Sequence, residues 1–273
     1  MIAPGILSVE TRTADGKAGV IVGSRSALAV DAGIDASEGA RVAAAARAAG
    51  RSADLLLFTH GHGDHVLGGS ALPDAVVFAH ADAERHIRAQ IPTWASAASV
   101  TPAELTSRLA LPVVTFTGEL AFDLGGRHVR VLQTPGHAPG AVCVFVPEDG
   151  VLFGGDTVVT GIPPVFRDGD SRTLEHTLRE LAGLGAAVLV PGHGAVVIGA
   201  DRVREAMLWA ADYLARVRER VSAALGQSDA ETIVRTAAPY EALIGDRLPS
   251  DRHRMVWRHE QTVRYMIAEL GAP

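Results

Sequence analysis

Over the first two hundred positions the apolar residues fall in short runs, separated by glycine, proline and polar turns. Ala18–Val22 and Ala27–Val30 are two such runs, and Gly23-Ser24-Arg25-Ser26 between them reads as a hairpin turn. The second run ends in Asp31-Ala32-Gly33, and the alanine-rich stretch Ser37–Ala49, stopped by Gly50, predicts a helix. Leu55–Thr59 is a short apolar run that predicts a buried strand. Further strands are predicted at Ala75–Ala79, Val113–Phe116, His128–Leu132, Val142–Val146, Val151–Phe153 and Ala187–Val190, with helices at Asp82–Ala89 and Thr173–Gly183. Strands come first in hairpins and then alternate with helices. That order implies a layered, mixed α/β (α+β) protein, not a simple parallel Rossmann sheet.

Two regions break the pattern. Ile91 to Leu111 has no clear period and carries Pro92, Trp94 and Pro102. It reads either as a lid or binding loop or as a surface excursion with a short helix at Pro102–Leu109. From Asp201 onward, Val203, Met207, Ala210, Leu214, Val217, Val221 and Leu225 recur at spacings of three and four, one face of a long amphipathic helix. Glu260–Leu270 suggests another. The expected organisation is a layered catalytic domain over 1–200 and a helical C-terminal extension over 201–273 packed on it, with a homodimer surface as the alternative use of those helices.

Composition narrows the chemistry. At 273 residues the chain can bury one substantial core, and with 48% hydrophobic but only 5% aromatic residues, aliphatic side chains must fill it. The formal net charge of −6 argues against a nucleic-acid or membrane-surface binder. Lys17 is the only lysine, which nearly excludes Schiff-base chemistry. The single cysteine, Cys143, lies in the apolar run Ala141–Val146 and reads as inert and buried. The start of the chain lacks a secretory pattern, and no stretch reaches the roughly 18–20 apolar residues of a membrane span, so a cytoplasmic location is the default expectation.

The strongest local signal is Thr59-His60-Gly61-His62-Gly63-Asp64-His65, directly after a predicted buried strand. In an extended or tightly turned segment His60 and His62 can point one way while Asp64 and His65 turn toward a second point. Glycines at 61 and 63 would let the backbone bend so that the four converge. Imidazole nitrogens and carboxylate oxygens are ligands that zinc accepts at roughly 2.0–2.2 Å. Three more candidates stand beside glycines just after apolar strands: His137 in Thr134-Pro135-Gly136-His137, Asp156 in Phe153-Gly154-Gly155-Asp156, and His193 in Pro191-Gly192-His193-Gly194. Loops at strand ends are where a rigid sheet presents functional groups.

In these motifs and their order the chain resembles the metallo-β-lactamase superfamily over roughly residues 10–200. The resemblance implies a four-layer αββα sandwich with a site at one edge of its two sheets. It implies that His60, His62 and His137 bind a first metal, that Asp64, His65 and His193 bind a second, that Asp156 bridges both, and that Asp31 supports the metal loop. His62 stands where the oxygen-reducing di-iron branch carries a glutamate. Asp156 resembles the bridging aspartate of glyoxalase II, lactonase and phosphodiesterase relatives, where many true β-lactamases carry cysteine or serine. The large inserted domain of the nucleic-acid-cleaving branch does not fit these spacings, and the basic C-terminal glutathione-binding pattern of glyoxalase II is not recognisable.

The implied activity is a metal-dependent hydrolase with two zinc ions (manganese or iron being tolerated by much the same set) about 3.5–4 Å apart and a bridging hydroxide as nucleophile. Its substrate would be a small ester, thioester or lactone, with Asp64 relaying a proton. A phosphodiesterase or β-lactam hydrolase on the same site is the alternative. So is a mononuclear iron persulfide dioxygenase, using Asp156 with His60 and His62 or His137. A non-catalytic binding protein is disfavoured by the intact set of seven residues. Arg167 is a candidate for an anionic substrate group, with a solvated arginine the simpler reading. Trp94 is a candidate for the pocket floor or lid. His253 and His259 would reach the pocket rim if the tail caps it.

Overall fold

The computed structural model describes residues 1–245 and 252–271. One sheet takes six strands in chain order: β1 (Ile6–Glu10), β2 (Lys17–Val22), β3 (Ala27–Val30), β4 (Leu55–Leu57), β5 (Val76–His80) and β6 (Val114–Phe116). Pairing is antiparallel from β1 to β3 and parallel from β3 to β6. The change falls where connections lengthen, since a parallel return needs a crossover. These crossovers hold α1 (Ala36–Ala48), the single turn α2 (Gly63–Val66), α3 (Ala81–Ala97) and α4 (Pro102–Arg108).

The second sheet is also in chain order: β7 (Leu120–Asp123), β8 (His128–Gln133), β9 (Val142–Val146), β10 (Val151–Phe153), β11 (Val188–Val190) and β12 (Val197–Ile198). Its one parallel pair, β10 with β11, is the pair joined through α5 (Ser171–Ala182). Beyond β12 come α6 (Ala200–Ala224), the short turns α7 (Ala230–Thr232) and α8 (Tyr240–Leu243), and α9 (Arg252–Gly271).

Strand alternation explains the layering. Ile21, Leu28, Val30 and Leu57 of the first sheet meet Val129, Val131, Val144, Val146 and Phe153 of the second in one buried cluster. The opposite faces pack outward. Val20, Ala29, Leu56 and Val77 lie under Val42, Ala46, Ala83 and Ile87 of α1 and α3. Leu132, Cys143, Phe145 and Leu152 lie under Leu174 and Leu178 of α5, with Met207, Leu214 and Val217 of α6 in the same cluster. The order is helix, sheet, sheet, helix, the αββα sandwich, with the C-terminal helices on the second sheet's outer side. Each fully buried aliphatic side chain contributes roughly 1.5–3 kcal/mol, so a core of valine and leucine serves where aromatics are few.

The structure departs from expectation in two places. The 91–111 stretch is largely helical where an irregular segment was expected, because α3 runs on through Pro92 to Ala97. Pro92 removes one hydrogen bond, to the Arg88 carbonyl, but sits on the exposed face, while Ile87, Ile91 and Ala95 continue the buried stripe. The helix near Pro102 does form, with Thr101 capping it by accepting from the Glu104 N–H. The strands not foreseen are β1, β7 and β12, each at a sheet edge. Such short strands are set by pairing with a neighbour more than by their own sequence.

Candidate metal centre

Every candidate from the sequence lies on a connection leaving a strand. His60 and His62 are in the loop after β4, Asp64 and His65 on α2, and His137, Asp156 and His193 follow β8, β10 and β11. Backbone hydrogen bonds lash these loops together across both sheets. The Val142 N–H donates to the Thr59 carbonyl at 2.8 Å, Ala32 N–H to the His65 carbonyl at 2.8 Å, and Gly192 N–H to the Gly155 carbonyl at 2.7 Å. The loop of His193 is further held by Lys17, whose N–H reaches the Gly192 carbonyl at 2.8 Å and whose ammonium reaches the Asp15 carbonyl at 2.7 Å.

Glycines serve this packing differently from the sequence reading. Gly61 and Gly63 are not in the left-handed region and supply no special bend. They supply room, since a Cβ on Gly61 would lie 2.9 Å from His86 Nδ1 and one on Gly63 would lie 3.2 Å from Trp94 Nε1. Left-handed glycines stand instead beside the other three candidates, at Gly136, Gly155 and Gly194, and at Gly194 (φ +100°) a Cβ would come within 1.8 Å of the Thr160 carbonyl oxygen.

The seven side chains converge as two groups. Ligand atoms of His60, His62, His137 and Asp156 lie within 4.8 Å of one another, as do those of Asp64, His65 and His193. In the first, His62 Nδ1 is 3.0 Å from His60 Nε2 and 3.1 Å from His137 Nε2. In the second, Asp64 Oδ2 is 3.3 Å from His193 Nε2. Asp156 touches both, with Oδ1 3.2 Å from His65 Nε2 and Oδ2 3.3 Å from His193 Nε2 and 3.7 Å from His137 Nε2.

Partners on the far side of each ring fix which nitrogen faces inward. His137 Nδ1 donates to the Val165 carbonyl at 2.7 Å, and His65 Nδ1 donates to Asp31 Oδ2 at 2.8 Å. Asp31 also accepts from the Thr59 hydroxyl at 2.8 Å, which leaves the Thr59 oxygen to accept from His60 Nδ1 at 3.0 Å. His62 is turned the other way, its Nε2 donating to Asp168 Oδ2 at 2.9 Å. In the neutral rings, Nε2 of His60, His65 and His137 and Nδ1 of His62 are therefore lone pairs aimed at the centre. Hydrogen-bonded histidines of this kind are the usual arrangement around a metal. Asp31 does this from a left-handed backbone (φ 61°), a conformation aspartate tolerates better than most residues.

The donor set fits divalent cations. His65 Nε2 and Asp156 Oδ1 are buried without a hydrogen-bond partner, and three inward lone pairs lie about His62 with no proton donor among them. Burial pulls His60 well below the ordinary imidazole range and His137 down to about 4, so both are neutral ligands at pH 7. Burial also works against charge on His193, but Asp156 outweighs it and lifts His193 to about 9. The same carboxylate, with Asp31 and Asp64, raises His65 well above its ordinary value against its burial. Asp64 and Asp156 thus draw positive charge onto this group, the role a cation would take over.

The centre opens into a cavity of about 720 Å³. Leu67, just after α2, and Gln90, Trp94 and Ala97 of α3 line one side, Val165 and Arg167 another, and Trp257, Arg258, Gln261 and Tyr265 of α9 a third. Trp94 is thus a cavity residue. The tail does reach the cavity, but by residues the sequence did not single out. His259 instead lies on the other face of α9, its Nε2 donating to the Ala238 carbonyl and its Nδ1 accepting from Tyr213, both at 2.8 Å. His253 does not line the cavity either. Arg167 is half-exposed and held at 2.9 Å by Asp168. Asp168 carried no signal beyond the polar run Arg167–Asp170, and its tie to His62 spans 106 positions.

Two facing sheets between helices, with clustered histidines and aspartates where their strand-end loops meet, define an αββα protein with a site of the metal-binding type. The profile of the metallo-β-lactamase superfamily matches residues 13–193. The chain belongs to that superfamily. It is 31% identical over 169 residues to hydroxyacylglutathione hydrolases of Brucella ovis and Brucella abortus, covering 60% of this chain and 57% of theirs, so it spans little more than half the length of these relatives. A metallo-β-lactamase family protein of Thermus thermophilus superposes with a TM-score of 0.69 at 20% identity, covering 100% of this chain and 96% of that one. A metallo-β-lactamase of Pontibacter korlensis gives 0.60 at 18% identity over 78% of this chain and 97% of its own.

Proposed function

We propose that this protein is a metal-dependent hydrolase with two divalent cations, zinc by ligand type, that cleaves a small thioester, ester or lactone at its carbonyl carbon. The observation that carries the reading is the pairing of two ligand groups through Asp156. His60, His62 and His137 hold the first cation, Asp64, His65 and His193 the second, and Asp156 stands between them. Bound there, the two cations supply an activated water and a Lewis acid for the scissile carbonyl. Thioesters lead the substrate list because the relatives that are 31% identical are described as hydroxyacylglutathione hydrolases.

The chain's own residues do the rest. Asp31, Thr59, Asp168 and the Val165 carbonyl hold the four histidine rings in fixed orientations, so binding a cation asks for the loss of protons and not for movement of the rings. Asp64 has one oxygen on His193, and its second oxygen is assigned the relay of a proton to the leaving group. Residues 1–200 act as the catalytic unit, and the helices of 201–273 form its cap.

Metal analysis of purified protein, followed by chelation and zinc restoration on a panel of thioesters, esters, lactones, phosphodiesters and a β-lactam, tests the reading. About two zincs per chain and thioester, ester or lactone turnover that tracks metal are expected. One iron per chain without hydrolysis overturns it. Asp64→Asn that keeps both metals and near-normal turnover overturns the proton-holding role alone.

A further inference from the structure

Two arginines line the cavity, and the structure treats them differently. Arg167 is spent on Asp168, through Nε at 3.0 Å and Nη2 at 2.9 Å. Arg258 is half-buried, forms no ion pair among the described residues, and has its Nε enclosed with no hydrogen-bond partner. A guanidinium left so is uncommon, because a buried polar group without a partner costs free energy. Burial works against its charge, and the carboxylates attracting it, Asp156 and Asp64, are those assigned above to the cations.

Arg258 is also held in place. α9 is fastened by the Thr262 hydroxyl donating to the Pro164 carbonyl at 2.8 Å and by Glu269 accepting from the Ser171 hydroxyl at 3.0 Å. The lining of the same cavity includes two exposed hydrophobic residues, Trp257 at 57% and Ile34 at 38% exposure. Water-facing tryptophan beside an unpaired arginine is a pairing of surfaces that a ligand with one apolar and one anionic end would cover.

We infer that the cavity takes a substrate bearing a carboxylate, which Arg258 binds through Nε and Nη, and an apolar group, which lies against Trp94 and Trp257. The planar fork of the guanidinium matches a carboxylate in two parallel hydrogen bonds, with the Gln261 amide available beside it. Arg258 is a specificity-determining residue for the hydrolysis proposed above, on which this assignment rests.

Binding can test it apart from turnover. Quenching of tryptophan fluorescence in the zinc-loaded protein would be titrated with 4-phenylbutyrate and with its uncharged counterpart, 4-phenylbutanol. The carboxylate should bind about 10- to 100-fold more tightly, and Arg258→Ala should abolish that preference while leaving the alcohol's affinity and the zinc content unchanged. Arg258→Lys should restore part of it. A preference that survives Arg258→Ala but disappears on chelation would put the carboxylate on the metals and overturn the assignment. Equal binding of both probes by the parent protein would overturn it too, as would a stronger Arg258-dependent preference for phenyl phosphate over benzoate. Binding as expected without hydrolysis of any carboxylate-bearing thioester would defeat the hydrolase reading and leave the anion subsite standing.

Discussion

The cavity has two walls of opposite construction. One is the metal centre, built on loops from both sheets, where nearly every polar atom is buried and tied to a second polar atom behind it. The other is the face of α9, a single helix carrying Trp257, Arg258, Gln261 and Tyr265, of which Trp257 is largely exposed. The first wall is over-determined. His65, for example, is held by Asp31 behind and meets Asp156 in front. The second is held through Thr262 and Glu269 on other positions of the helix and leaves Arg258 uncommitted. Over-determination suits reaction chemistry, which needs fixed geometry. An uncommitted face suits selection, since it can change residue by residue without disturbing the centre.

On that contrast, the largest effect comes from the group common to both halves of the centre. Asp156→Asn keeps the shape but removes the charge that stands between His65, His193 and His137. Metal content and turnover should both fall by more than the roughly 10- to 100-fold that losing a supporting partner costs. Metal analysis alongside steady-state kinetics decides it, and a variant with two tightly held zincs would remove Asp156 from its assigned place.

Asp168 sharpens the comparison from behind the first wall. It holds His62 on one side and the cavity residue Arg167 on the other. Asp168→Ala should weaken metal at the His60, His62 and His137 group by about 10- to 100-fold while the other group keeps its cation. Sequential chelator titration separates the two. Uniform loss from both groups, or none, would mean that the Asp168 contact does not orient His62.

How much of this was legible follows the same division. The His60–His65 motif could be read because ligand chemistry restricts both residue type and spacing, and an apolar strand before it fixes where the loop must emerge. The role of Asp31 came only through the family resemblance, which its place at the end of a strand allowed to be aligned. Asp168 and Arg258 were not legible, because their significance lies in partners far along the chain or in the lack of one, and neither leaves a local pattern. Arg258 lies two residues before the predicted helix begins at Glu260, and on sequence alone it is another arginine of a polar helix face. Strand periodicity led to a layered α/β protein and the family resemblance to the αββα sandwich, while the edge strands β1, β7 and β12 escaped because pairing creates them. Pro92 misled because the cost of an interior proline is local, whereas the buried stripe of Ile87, Ile91 and Ala95 that carries α3 past it depends on tertiary packing.

The smallest expected effect tests whether α9 is a stable support or a hinged flap. His259 sits on the helix face away from the cavity, among Tyr213 and Tyr240, with Glu260 and Glu241 the acidic groups bearing on it. Burial lowers its pKa below imidazole's ordinary value of 6.5, and both ring nitrogens are used in the neutral form. Below about pH 6.5 the unfolded chain therefore takes up a proton that the folded chain resists, so this contribution to stability is present above that pH and is lost as the pH falls. Thermal melting between pH 7 and 5 should show a decline that is shallower in His259→Gln, whose amide can serve the Ala238 carbonyl and the Tyr213 hydroxyl without titrating. If α9 instead lifts freely from α6, His259 is solvated in the folded protein as well, and the two melting curves will run parallel.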